Sequence, residues 1–200
     1  MAYSKERRAS VPFKEALLKK VCVLLADGCE EVEAVTPIDY LRRAGFSVTG
    51  AGLASREIIG GHGIGIAADS VLDELDDENF DCVVVPGGGK GSEAIAANAM
   101  ARGFIQRHAE AGALIGALCA APALVLGKAC GLLEGREFTC YPGLEGSVPG
   151  GRYKAERTVR DGRIVTGAGA GCAGEFSMAL VEELAGRNAA HKLAAALLLS

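Results

Sequence analysis

Seven cysteines, Cys22, Cys29, Cys82, Cys119, Cys130, Cys140 and Cys172, are the strongest nucleophiles in the chain, and Cys119 is placed unlike the others. It ends the apolar run ALIGAL (113–118) and leads directly into a segment of helical composition, with Gly116, Ala117, Ala120 and Ala121 around it. Small neighbours are what a sharp strand-to-helix turn requires, as in the serine elbow of hydrolases. A thiol at the start of a helix meets free N–H groups and the positive end of the macrodipole, so a lowered pKa and a reactive sulfur are expected there. Cys22 and Cys82, inside apolar runs, read as small core hydrophobes.

A partner for that sulfur comes from the acids Glu30, Glu31 and Glu33. Acids in a first helical turn complement the dipole, and Asp27 and Glu30 have capping-box spacing, which accounts for Glu30 and Glu31. Glu33, flanked by Val32 and Ala34, is the acid expected to point inward. Burial would raise its pKa, letting it hydrogen-bond a thiolate and shuttle a proton. Gly87, Gly88 and Gly89 follow an apolar run and expose backbone N–H groups that suit an oxyanion.

The elements that must position these residues alternate between strand and helix. VCVLLA (21–26) has strand length, and Val32, Val35, Ile38 and Leu41 then recur at helical spacing. Pro37 should break or kink this helix, with Thr36 as a fresh N-cap, so Glu33 is expected near a discontinuity. Gly45 ends the helix and FSVTGA (46–51) starts a second strand. Residues 57–68 suggest short edge strands, and DCVVVP (81–86) a buried strand, with helices following to His108. A helix over 120–129 tolerates Pro122 in its first turn, and Asp161-Gly162 marks a hairpin. Helices over 175–184 and 188–199 close the chain. The pattern predicts an α/β fold: a mostly parallel sheet, helices on both faces, and a small antiparallel addition. Residues 20–200 read as one domain and 1–19 as an N-terminal extension.

Composition excludes several classes. Hydrophobic content of 50%, charge of 23% and net charge −4 describe a globular chain and disfavour disorder or a nucleic-acid-coating surface. An odd cysteine count without C-x-x-C argues against a disulfide framework or zinc site and for a reducing, cytoplasmic setting. The basic, hydroxyl-bearing start leaves organellar targeting open, although Glu6 and Glu15 oppose it. No apolar run reaches the ~18 residues of a membrane span. Gly169, Gly171 and Gly174 fit G-x-G-x-x-G, but no later strand follows to carry a ribose-binding acid, so these glycines are expected to permit close packing instead. Gly89-Lys90-Gly91 lacks the Ser/Thr of a P-loop. No nucleotide or metal cofactor is expected.

The stretches LLADGCEEVEAVTPIDYLRRAG (24–45), VVVPGGGKG (83–91), IGALCAAPALVL (115–126) and GEFSMALVEELAG (174–186) together resemble the DJ-1/PfpI superfamily, in particular its small single-domain ThiJ-like branch. The resemblance runs from about Lys20 to the C-terminus. It implies a flavodoxin-like three-layer sandwich, a homodimer, Cys119 as the elbow nucleophile, Glu33 as its paired acid, and the N–H groups of Gly88 and Ala120 as an oxyanion hole. Departures from the pattern are as telling. Tyr141 stands where many members have histidine. Ala120 replaces the histidine of the peptidase-like branch, which argues against proteolysis. The histidines His62, His108 and His191 do not form the late H-x-E of amidotransferases, and Ala168 stands where some relatives bring an arginine. The activity implied is a cofactor-free, glutathione-independent glyoxalase acting on a small reactive aldehyde such as methylglyoxal and extending to protein deglycation, with Tyr141 orienting substrate or water. The same cysteine and acid equally suit a redox sensor or stress chaperone without enzymatic activity.

Overall fold

A computed structural model describes residues 19–199, so the N-terminal extension lies almost entirely outside the described residues. In chain order the first elements are β1 (Lys20–Leu25), α1 (Glu31–Arg43), β2 (Ser47–Gly52), β3 (Glu57–Ile59), β4 (Gly65–Ala67) and β5 (Ser70–Val71). Then come β6 (Cys82–Val85), α2 (Gly89–Ala97), α3 (Ala99–Glu110), β7 (Leu114–Leu118) and a π-helix, Pro122–Ala129. The remainder is β8 (Glu137–Phe138), β9 (Arg152–Tyr153), β10 (Thr158–Asp161), β11 (Ile164–Gly167), α4 (Ala173–Ala185) and α5 (Arg187–Ala196).

Seven strands form the main sheet in the order β10-β11-β7-β6-β1-β2-β5, parallel throughout except where β10 meets β11. The continuous apolar runs of β1, β6 and β7 are those of strands covered on both faces. Val21, Val23, Leu25, Cys82, Val84, Leu114 and Leu118 pack with residues of α1, α4 and α5. Cys22, Leu24, Val83, Val85, Ile115 and Ala117 pack with residues of α2, α3 and the π-helix. This is the expected three-layer sandwich, with β3 and β4 as a separate antiparallel hairpin. The β10–β11 turn is also present, one residue later than the Asp-Gly signal: Asp161 pairs with Ile164 and Gly162 takes φ +59°. Among the described residues no helix is long and apolar enough to cross a membrane.

Three expectations fail locally. Helix α1 runs through Pro37 without interruption. Proline in a helix interior costs about 3 kcal/mol or more, yet Pro37 is buried on the face it shares with Glu33, Ala34 and Leu41, and packing onto the sheet holds the helix together. The apolar spacing also mis-set the helix face, since Val32 and Val35 are 49% and 48% exposed. Finally, the 169–174 glycines do not mark close packing. A Cβ at Gly171 would meet nothing within 4 Å, and at Gly169 or Gly174 only side-chain atoms at 3.8 Å or beyond. Close approaches lie elsewhere, as at Gly116, where a Cβ would sit 2.8 Å from the Phe176 ring.

Candidate active site

Strands β6 and β7 are parallel neighbours, so the loops after them emerge together at the carboxyl edge of the sheet, where α/β proteins build sites. Cys119 takes the step after β7. Its N–H donates to the Gly167 carbonyl at 2.8 Å and its carbonyl accepts from Tyr141 N–H at 2.8 Å, fixing it between two loops. Its φ is +60°, a left-handed conformation that costs a non-glycine residue about 1–3 kcal/mol and clusters at functional positions. The chain then widens into the π-helix, in which Cys130 N–H reaches the Val125 carbonyl at 2.9 Å. Such wide turns are rare and are also found mostly at functional sites.

Glu33, third residue of α1, is fully buried, and its Oε2 accepts a hydrogen bond from Gly87 N–H at 2.8 Å. A Cβ on Gly87 would lie 2.5 Å from both the Cys119 Cβ and Glu33 Oε2. Gly87 is therefore the residue whose missing side chain lets acid and thiol meet. The run of three glycines signals backbone N–H groups at this edge, but not that Gly87 in particular makes room for the acid and the thiol. Gly88 itself has φ +86° and packs so closely that a Cβ would come within 2.5 Å of Glu30 N. The N–H groups of Gly88 and Ala120 and the Glu33 carboxyl all lie near enough to the Cys119 sulfur to shift its titration. The sequence-derived residues Cys119, Glu33, Gly88 and Ala120 thus meet at one point.

Burial raises the Glu33 carboxyl to about 7, against the opposing pull of Gly87 N–H and the Cys119 thiol. This is the shift the sequence predicted. The thiol shifts the other way from expectation: burial, and then the Glu33 charge, push Cys119 up to about 12, while the N–H groups of Gly88 and Ala120 pull it down. Desolvation of the thiolate and the neighbouring carboxylate outweigh the favourable dipoles at the helix start. Glu33 Oε1 is buried with no hydrogen-bond partner. A proton on the Glu33 carboxyl removes the repulsive charge beside the sulfur, so protonating Glu33 and forming the thiolate are coupled.

The surrounding residues are placed differently from one another. Tyr141 is tied by its backbone to Cys119, its side chain is 54% exposed, and its ring stands over Gly169. Ala168 donates its N–H to the Arg157 carbonyl. Buried His108 bonds Phe80 N–H and the Phe104 carbonyl and serves the core. Asp27 does not cap α1; its Oδ1 accepts from Ile59 N–H at 2.9 Å, and Glu30 at the N-cap makes no side-chain cap. Sequence reasoning also missed that Glu31 is buried and bound to His62, whose Nδ1 lies 2.8 Å from Glu31 Oε2. Glu30, Glu31 and His62 are close enough to share a cation, but both Glu31 oxygens already accept hydrogen bonds from His62.

The DJ-1/PfpI family model matches residues 19–183. The chain is 37% identical over 185 residues to protein dj-1beta of Drosophila melanogaster, covering 91% of this chain and 98% of that one. It is 38% identical to protein DJ-1 homolog B of Arabidopsis thaliana over 90% of its own length, and spans only 42% of that longer relative. A Caenorhabditis elegans protein named a glutathione-independent glyoxalase is 30% identical, with 89% of this chain and 95% of that one covered. The solved structure of oxidized Toxoplasma gondii DJ-1 superimposes with a TM-score of 0.88 at 36% identity, covering 91% and 99% of the two chains. The strand-end cysteine, its buried acid, the flavodoxin-like sandwich and these matches lead to one conclusion: the chain belongs to the DJ-1/PfpI family.

Proposed function

We propose that the protein is a cofactor-independent glyoxalase that converts methylglyoxal and water to lactate without glutathione, with Cys119 as nucleophile and Glu33 as proton carrier. The observation that carries this reading is a fully buried carboxyl, pushed up to about 7 and with one oxygen unpartnered, beside a sulfur whose charged form the nearby Gly88 and Ala120 N–H groups favour. Proton transfer is most efficient when the carrier's pKa lies near the working pH. The Cys119 thiolate adds to the aldehyde carbon, forming a C–S bond and a hemithioacetal oxyanion that the Gly88 and Ala120 N–H groups stabilise. Glu33 takes the proton from that carbon and returns it to the neighbouring one through an enediol. The aldehyde carbon is thereby oxidised to a thioester as the ketone is reduced to an alcohol. Water then cleaves the thioester to lactate and free thiol. Tyr141, exposed at the rim, orients substrate or water. The same adduct chemistry extends to glyoxal-modified protein side chains.

A second reading has its own observation. Cys119 is the one cysteine of seven that is not buried, so an oxidant would meet it first. In a redox sensor, peroxide takes the thiolate to sulfinate and protonated Glu33 hydrogen-bonds the product. Exposed Val32 and Val35 on α1 support assembly as a homodimer, and seven free cysteines support a reducing compartment such as the cytoplasm. Residues 20–200 would form the working domain.

The deciding experiment measures lactate formed from methylglyoxal without glutathione by the wild type and by Cys119→Ser and Glu33→Gln. Turnover by the wild type alone supports the glyoxalase, and equal silence of all three overturns it. Intact mass after mild peroxide then tests the sensor, which requires two oxygens gained at Cys119 before any other cysteine reacts.

A further inference from the structure

The turn of α1 that carries Glu33 is weakly held by the helix itself. Glu30 at the N-cap makes no side-chain capping bond, and Pro37 has no N–H to give the Glu33 carbonyl. A carboxyl that must meet both Gly87 N–H and the Cys119 sulfur needs firmer support. Glu30 N–H ties the start of the turn to the Gly87 carbonyl at 3.0 Å, and the remaining support lies on the opposite side, in the β3–β4 hairpin. Gly28 N–H donates to the Ile59 carbonyl at 2.8 Å, Ile59 N–H to Asp27 Oδ1 at 2.9 Å, and Gly61 N–H to the Cys29 carbonyl at 2.8 Å. At the hairpin tip, His62 N–H donates to Glu31 Oε1 at 2.7 Å and the His62 ring meets Glu31 Oε2 at 2.8 Å, with Glu30 Oε2 at 3.5 Å. Gly60 lies against the Glu31 carboxyl so closely that any Cβ there would overlap it.

We propose that Glu31 and His62 form a positioning clamp that ties the β3–β4 hairpin to the first turn of α1 and so holds Glu33 against Gly87 and Cys119. Neither residue touches the reacting atoms; both act through Glu33, two positions beyond Glu31. The geometric claim stands on the hydrogen bonds alone, and its catalytic consequence rests on the glyoxalase reading. The clamp also gives the hairpin, which lies outside the main sheet, a role in the site.

Native-state amide exchange on the full chain tests this, because Gly87 N–H is protected by Glu33 Oε2. His62→Ala should speed Gly87 exchange about tenfold or more while the amides of β6 change by less than about twofold. His62→Gln, whose amide can still donate to Glu31, should restore wild-type protection. Gly87 exchange within about twofold of wild type in His62→Ala overturns the clamp. Equal acceleration at Gly87 and throughout β6 overturns it too, as general loosening, and so does a failure of His62→Gln to restore protection. The readout involves no substrate, so a wild type inert toward methylglyoxal would sink the functional reading and leave the clamp to be decided separately. If that reading holds, His62→Ala lowers kcat and leaves KM unchanged.

Discussion

Two carboxyls two residues apart, on opposite sides of the first turn of α1, are shifted in opposite directions. Glu31 faces the hairpin and Glu33 faces the strand ends, and both are buried. Glu31 accepts from the His62 ring, His62 N–H and Ile64 N–H, and these donors hold it down at about 2. Glu33 has one donor, the Gly87 N–H, keeps one oxygen unpartnered, and is pushed by burial to about 7. Depth of burial and the supply of donors act together: Glu33 is the more strongly desolvated of the two acids and has the fewer donors. The well-supplied carboxylate is a fixed anchor, and the starved one is free to carry a proton.

The largest effects should come from removing the starved side. Cys119→Ser should abolish turnover of methylglyoxal, and Glu33→Gln should lower kcat by about 10²–10⁴-fold, the usual worth of a positioned acid or base. Steady-state lactate assays check both. A Glu33→Gln enzyme of normal activity would erase the functional difference between the two carboxyls.

Gly87→Ala comes next, because its methyl would crowd both Cys119 and Glu33 as well as the Leu118 carbonyl at 2.8 Å. Overpacking of this kind costs about 1–3 kcal/mol, read by denaturant unfolding. Activity should fall further than stability alone explains.

The pH dependence of stability separates the two acids by sign. Glu33 is raised above its unfolded value, so the folded state binds the extra proton, and stability falls as pH rises from about 4.3 toward 7. Glu33→Gln should therefore gain on the order of 1–3 kcal/mol over wild type at pH 8 and little at pH 4. Glu31 is lowered, so its contribution is complete above its unfolded value and disappears as pH falls through about 2. Glu31→Gln should be destabilised at neutral pH, with the deficit shrinking in acid. Urea unfolding across the pH range checks both slopes, and parallel slopes would break the comparison.

The smallest effect is expected at Tyr141, whose side chain is mostly solvent-exposed. Tyr141→Phe should change kcat/KM by less than about tenfold, within the ~1 kcal/mol worth of one exposed hydrogen bond.

The parallel sheet was legible because β1, β6 and β7 are unbroken apolar runs, a pattern that few other elements produce. Small residues around Cys119 announced the elbow, and the Val-Glu-Ala context of Glu33 announced an inward acid. The face of α1 was misread because apolar periodicity counts Val32 and Val35 as core. The buried positions there include Glu31, Glu33 and Pro37, whose roles are polar or steric. The capping role of Asp27 and the helix break at Pro37 were local rules overridden by tertiary contacts, with the β3–β4 hairpin in one case and the sheet in the other. The thiol pKa needed a burial that no local sequence pattern reports. The clamp between Glu31 and His62 joins residues 31 positions apart, so no local signal could find it.

The central claim is that Cys119 forms the covalent bond and Glu33 moves the proton that resolves it. Rapid quench of enzyme mixed with methylglyoxal, followed by mass analysis of the Cys119 peptide, tests both halves at once. The wild type should show a transient adduct of one methylglyoxal on Cys119, Glu33→Gln a persistent one, and Cys119→Ser none. An adduct located on another residue, or one in Glu33→Gln that clears as fast as in the wild type, would contradict it.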